Sequence, residues 1–191
     1  MIRSARLAAV ALGLGCVLVL GRWWVFDLCI VSSDTMQPGL SRGDLLLLSR
    51  RSVPVPGDVV LFDLSGDGQR TLGRVVAVGG ERVEITGGEV RVDGRALRVG
   101  PARRAAVPWA GAVEEVEVVV EARGDRRWEV VDDHGQADPI VVPAEAYYVL
   151  ADHRRAGRDS RSWGPIEASL VTGVQVARLW PPGWPRRWQR R

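Results

Sequence analysis

From residue 44 onward the chain alternates short apolar runs with turns rich in Gly, Pro and Asp. Asp44-Leu45-Leu46-Leu47-Leu48 follows Arg42-Gly43, and the turn Val53-Pro54-Val55-Pro56-Gly57-Asp58 leads into Val59-Val60-Leu61-Phe62. Gly66-Asp67-Gly68 separates that run from Arg74-Val75-Val76-Ala77-Val78. Arg82-Val83-Glu84-Ile85 and Glu89-Val90-Arg91-Val92 alternate polar with apolar around Thr86-Gly87-Gly88, which predicts a hairpin. Glu114 to Ala122, Trp128 to Asp132 and Tyr147 to Leu150 read as further strands, and residues 101 to 111 as a loop. Glu167 to Leu170 reads as a helical turn, and Val171 to Trp180 closes the fold. Short strands at this spacing predict an all-β barrel-like or sandwich domain, without internal repeats.

The N-terminal pattern is different. Leu7 to Leu20 is uncharged and apolar, flanked by Arg3, Arg6 and Arg22. Fourteen helical residues span roughly 21 Å against a ~30 Å hydrocarbon core. Arginine stems reaching for headgroups, Trp23-Trp24 at the boundary, and the apolar Val25 and Phe26 make up the difference. A cleaved secretory signal has a similar apolar length, but Gly21-Arg22-Trp23 is a poor cleavage site, so an uncleaved anchor is expected. Arg3 and Arg6 place the N-terminus in the cytoplasm and the rest of the chain outside. The expected organisation is a tip and transmembrane anchor at 1–24, a β domain at 25–180 with a smaller β insertion at about 95–145, and a Trp/Arg-rich tail at 181–191. That tail reads as a polar end, or as an interfacial segment resting on the bilayer.

Composition changes the picture in one respect. The 26 basic side chains are all arginine, so the chain has no lysine. Formal charge is only +3, and the arginines are spread among acids, so nucleic-acid binding is not indicated. Cys16 and Cys29 have neither metal-site spacing nor a pattern that predicts a disulfide.

Two stretches carry the chemistry: Ser32-Ser33-Asp34-Thr35-Met36-Gln37-Pro38-Gly39-Leu40, and the long run from Ala151-Asp152-His153 through Asp159-Ser160-Arg161-Ser162-Trp163-Gly164. Between them lie Gly43-Asp44, Gly57-Asp58, Leu72-Gly73-Arg74-Val75-Val76 and Val92-Asp93-Gly94. In this order they resemble the boxes of type I signal peptidases, membrane-anchored endopeptidases with a serine–lysine dyad. The resemblance implies a signal-peptidase-like antiparallel β domain behind one transmembrane helix, in the bacterial cytoplasmic membrane with the β domain on the extracytoplasmic side. It also implies signal-peptide regions of exported preproteins and the lipid bilayer as partners, with no cofactor and no metal.

Carried over by position, the resemblance makes Thr35 the nucleophile position, Gly73 the lysine position, and Gly157 the position of a serine that supports the lysine. Ser33 is the oxyanion donor candidate, Met36 and Pro38 shape the substrate floor, and Asp159 with Arg161 is a bracing ion pair. A threonine hydroxyl can attack, although its β-methyl restricts χ1. Glycine supplies no base, and arginine stays charged because its pKa lies above ~12. The expectation is therefore a homologue with little or no peptidase activity, beside which an active paralogue would do the cutting. The alternatives are an active divergent enzyme pairing Thr35 with a non-lysine base such as His153, and a non-catalytic peptide- or partner-binding membrane scaffold. His134 and Asp34 are weaker base candidates: the first is expected on a loop, the second at a turn or solvent contact.

Overall fold

The computed structural model describes residues 25–66 and 68–179. The expected anchor and the Trp/Arg tail lie outside the described residues. Among the described residues no helix is long and apolar enough to cross a membrane.

Fourteen strands form three antiparallel sheets. They are β1 (Phe26–Ile30), β2 (Leu45–Ser49), β3 (Val59–Asp63), β4 (Arg70–Val78), β5 (Arg82–Thr86), β6 (Glu89–Val92), β7 (Arg95–Ala96), β8 (Arg98–Trp109), β9 (Ala112–Arg123), β10 (Arg126–Val131), β11 (Ala137–Val141), β12 (Ala146–Leu150), β13 (Ile166–Glu167) and β14 (Val171–Arg178). One helical turn, α1 (Ser160–Trp163), and a 3-10 turn, Ala168–Leu170, interrupt them. The main sheet has the order β1-β2-β14-β3-β4-β12-β13. A second has the order β11-β5-β6-β7, and a three-stranded ribbon runs β10-β9-β8.

The expected hairpin at 82–92 forms as β5 and β6, with Val83 opposite Val92 and Ile85 opposite Val90. Its inward residues join Val76, Trp128, Tyr148 and Leu150 in the largest core cluster. The near-continuous apolar run of β3 has its explanation in burial on both faces: Val60 and Phe62 pack with Val75, Val149 and Ile166, while Val59 and Leu61 pack with Met36, Leu46 and Leu48.

Two expectations are corrected. Residues 101 to 111 do not form a loop: they lie largely in β8, paired with β9 from Arg98↔Glu121 to Trp109↔Ala112. Seven of its twelve residues are exposed and only Val107 is buried, so backbone pairing, not apolar alternation, makes this strand. Phe26, read as continuing the apolar anchor, instead opens the edge strand β1.

Candidate active site

The nucleophile box forms a compact turn between β1 and β2. Backbone bonds from Gln37 N to the Asp34 carbonyl (3.1 Å) and from Leu40 N to the Met36 carbonyl (2.8 Å) close it, and the Gln37–Pro38 peptide is cis. Met36 is fully buried with Val31, Leu40 and Leu46, which fixes the turn to the core. The Thr35 carbonyl accepts from His153 N at 2.9 Å and so ties the turn to the C-terminal box.

The turn thereby places Thr35 on the wall of a cavity of about 430 Å³, with Ser33, Leu61, Leu72 and Trp163 on the same wall. Neither Met36 nor Pro38 lines it. Ser33 Oγ and Thr35 Oγ1 are 2.9 Å apart and share a hydrogen bond. Cys29 also faces this cavity, but burial pushes its thiol up from the ordinary value, so it stays protonated and offers no base.

Gly73 sits on β4 opposite Val60, while its neighbour Leu72 sits opposite Leu61. Alternation along the strand sends these two positions to opposite faces. A Cβ at Gly73 would meet the Phe62 ring at 3.2 Å and the Val149 Cβ at 3.4 Å, inside the core. Leu72 takes the cavity-facing place. Gly157 is equally constrained: a Cβ there would lie 2.1 Å from the Ala151 Cβ.

His153 is only 3% exposed, and both its ring nitrogens are buried without a hydrogen-bond partner. Its ring packs against Trp109 at the tip of the β8–β9 hairpin, with centroids 4.5 Å apart. Burial holds its pKa below the ordinary 6.5, with Arg155 adding to the effect while Glu114 and Asp34 oppose it. The imidazole is a packed neutral ring, not a hydrogen-bonded partner of the Thr35 hydroxyl. Asp34 ties the same hairpin tip to the nucleophile turn, accepting from Ala110 N at 3.3 Å. His134 lies on the connection after β10, exposed, with φ +53°. Glu117, Asp132 and His134 bring potential ligand atoms within 4.8 Å of one another, but Asp132 is already paired with Arg98 at 3.2 Å.

The C-terminal box is braced by ion pairs. Asp159 accepts from Arg161 Nε and NH2, both at 2.8 Å, and from the Ala151 N–H at 3.1 Å. Arg161 also reaches Asp133 and the Arg154 carbonyl. Asp152, fully buried, takes a two-pronged contact from Arg74 at 2.7 and 2.5 Å. Sequence reasoning did not single out Leu72, Trp109, Ala151 or Arg158 as contributors to this site. Only strand parity could have pointed to Leu72; the other three depend on long-range packing.

The profile of the family described as "Signal peptidase, peptidase S26" matches residues 2–180. Signal peptidase I of Leptolyngbya laminosa is 27% identical over 183 residues, covering 89% of this chain and 77% of its own. Signal peptidase I of Bacillus caldolyticus is 24% identical over 170 residues, covering 87% and 86%. A solved signal peptidase I from Enterococcus faecalis V583 has 20% identity and a TM-score of 0.40, covering 64% of this chain and 97% of its own. With the family profile spanning nearly the whole chain, through both boxes and every turn between them, the protein belongs to the signal peptidase family, peptidase S26.

Proposed function

We propose that this protein is a membrane-anchored signal peptidase homologue that engages the signal-peptide regions of exported preproteins with little or no hydrolysis. It serves signal-peptide processing by holding rather than by cutting. The observation that carries this reading is the state of the Thr35 hydroxyl. Its hydrogen bond runs to another hydroxyl, Ser33 Oγ, and the chain has no lysine to take its proton. A hydroxyl near its ordinary pKa is a weak nucleophile without such a base. The three positions that the resemblance assigns to nucleophile, base and base support hold Thr35, Gly73 and Gly157.

The groove beside Thr35 fits peptide capture. Strand β1 lies at the edge of the main sheet, next to the cavity, where an extended peptide can add as a further strand. The apolar run at Leu7 to Leu20 supplies the anchor and sets the β domain on the extracytoplasmic side of a bacterial cytoplasmic membrane. The Trp/Arg tail rests on the same surface, and an active paralogue completes the processing.

The test is a cleavage assay with the full chain in detergent micelles, on a preprotein carrying an Ala-x-Ala site, with the wild type and Thr35→Ala. No cleavage by either, together with photocrosslinking of the signal peptide to β1, is the expected result. Cleavage by the wild type that Thr35→Ala abolishes would overturn the proposal.

A further inference from the structure

The cavity beside Thr35 has a charge pattern that hydrolysis of a neutral peptide bond does not call for. Its lining includes two arginines, Arg70 and Arg158, and no acidic residue. Arg158 is exposed, with no hydrogen-bond or ion-pair partner among the described residues. Arg70 touches Asp27 at 3.3 Å, but the same Asp27 oxygen accepts from Arg50 at 2.9 Å, so one carboxylate serves two guanidinium groups. A net positive charge therefore remains on this wall. The hydroxyls of Ser33 and Thr35 add donors to the same cavity.

Donors and positive charge without a base suit a ligand that only accepts. From this we propose that the cavity is a receptor for a peptide carboxylate, so that the protein retains cleaved or acidic peptide ends rather than uncut chains. The inference rests on the peptide-capture reading above and names the chemistry the groove selects. Guanidinium forks match carboxylate geometry, and their charge-assisted bonds are about twice as strong as neutral ones. In a working hydrolase this wall would hold back the acid product and slow turnover. In a protein without a base it becomes the basis of recognition. Apolar Leu61 and Leu72 flank the charges and accommodate small aliphatic side chains upstream of the carboxylate. The carboxylate has two possible sources, a free C-terminus or an acidic side chain, and peptides separate them.

Fluorescence anisotropy on the full chain in detergent micelles tests this with three labelled peptides of one signal-sequence C-region. One ends in Ala-x-Ala with a free carboxylate, one in the same residues as the amide, and one is an amide whose last residue is Asp. The free acid is expected to bind about tenfold more tightly than the plain amide. That preference shrinks to about twofold or less in Arg158→Gln and persists in Arg155→Gln, whose side chain is outside the cavity. An aspartyl amide that matches the free acid assigns the site to acidic side chains, and one that matches the plain amide assigns it to chain ends. Equal binding of all three peptides, or a preference unchanged in Arg158→Gln, overturns the inference and leaves peptide capture standing. Binding of none of them removes both.

Discussion

Ala151 and Gly157 share a space large enough for one methyl group: a Cβ on Gly157 would lie 2.1 Å from the Cβ of Ala151. The loop between them is closed by Gly157 N donating to the His153 carbonyl at 2.9 Å, so neither residue can back away. Gly157→Ser alone is expected to destabilise the domain by about 1–3 kcal/mol through overpacking. Adding Ala151→Gly recovers most of that loss. Urea unfolding of the two single variants and the pair measures the coupling, and strictly additive effects would show that the two side chains do not compete.

Gly73 leads to a related expectation for any rebuilt dyad. A lysine stem there starts against Phe62 and Val149 in the core. Gly73→Lys is expected to cost about 1–3 kcal/mol, part of which Val149→Ala returns by opening the space. A thermal midpoint unmoved by Gly73→Lys would mean that β4 can turn position 73 toward the cavity, and Thr35→Ser with Gly73→Lys would then be the variant to assay for cleavage.

The buried imidazole makes stability depend on pH. Burial lowers the pKa of His153 from the ordinary 6.5, so the unfolded chain takes up a proton more readily than the folded one. The stabilisation from the neutral ring is complete above about 6.5 and is lost as pH falls through the lowered folded value. Thermal melts between pH 7.5 and about 5 should show a falling midpoint that flattens in His153→Phe. Trp109→Ala should weaken the dependence as well, by letting water reach the ring. An identical slope in wild type and His153→Phe would assign the effect elsewhere.

Arg161 contacts Asp159, Asp133 and the Arg154 carbonyl with one guanidinium. Arg161→Ala leaves the buried Asp159 without its partner and is expected to cost about 3–5 kcal/mol. Arg161→Lys recovers only part, because an ammonium cannot reproduce the fork. Denaturant midpoints of the two variants check this, and an Arg161→Lys midpoint equal to that of the wild type would show that the fork geometry is immaterial.

Much of the fold was legible because the strands that bury one face announce it. Val83, Ile85, Val90 and Val92 alternate with polar residues and become the β5–β6 hairpin. β8 does not announce itself: Pro101, Arg103, Arg104 and Pro108 interrupt any alternation, and its partner β9 provides the pairing. The short helix α1 is equally opaque, since four residues carry no periodicity; Asp159 capping the Arg161 N–H at 3.1 Å starts it. At the site, motif order located the Thr35 turn and the C-terminal box, but not which face of β4 looks at the cavity. Nor could local sequence reveal that His153 packs beneath Trp109, 44 positions earlier in the chain.

The ribbon formed by β8, β9 and β10 has a consequence for how this chain can change by insertion and deletion. Its root is bonded into the C-terminal box: Glu121, 2% exposed, accepts from Trp128 Nε1 at 2.8 Å and from Arg154 NH2 at 2.7 Å. Val131 also exchanges backbone hydrogen bonds with Asp152 and Arg154. Excising the whole ribbon would strand a buried guanidinium and uncap the box, so this segment is not a detachable module. Its tip is tied down as well, with Trp109 against the His153 ring and Ala110 N donating to Asp34, so the ribbon's length is held at both ends while its exposed side chains, Glu114 and Glu115 among them, are open to substitution. Descent can therefore rewrite the ribbon's outward side chains while its length stays as heritable as the two boxes it joins.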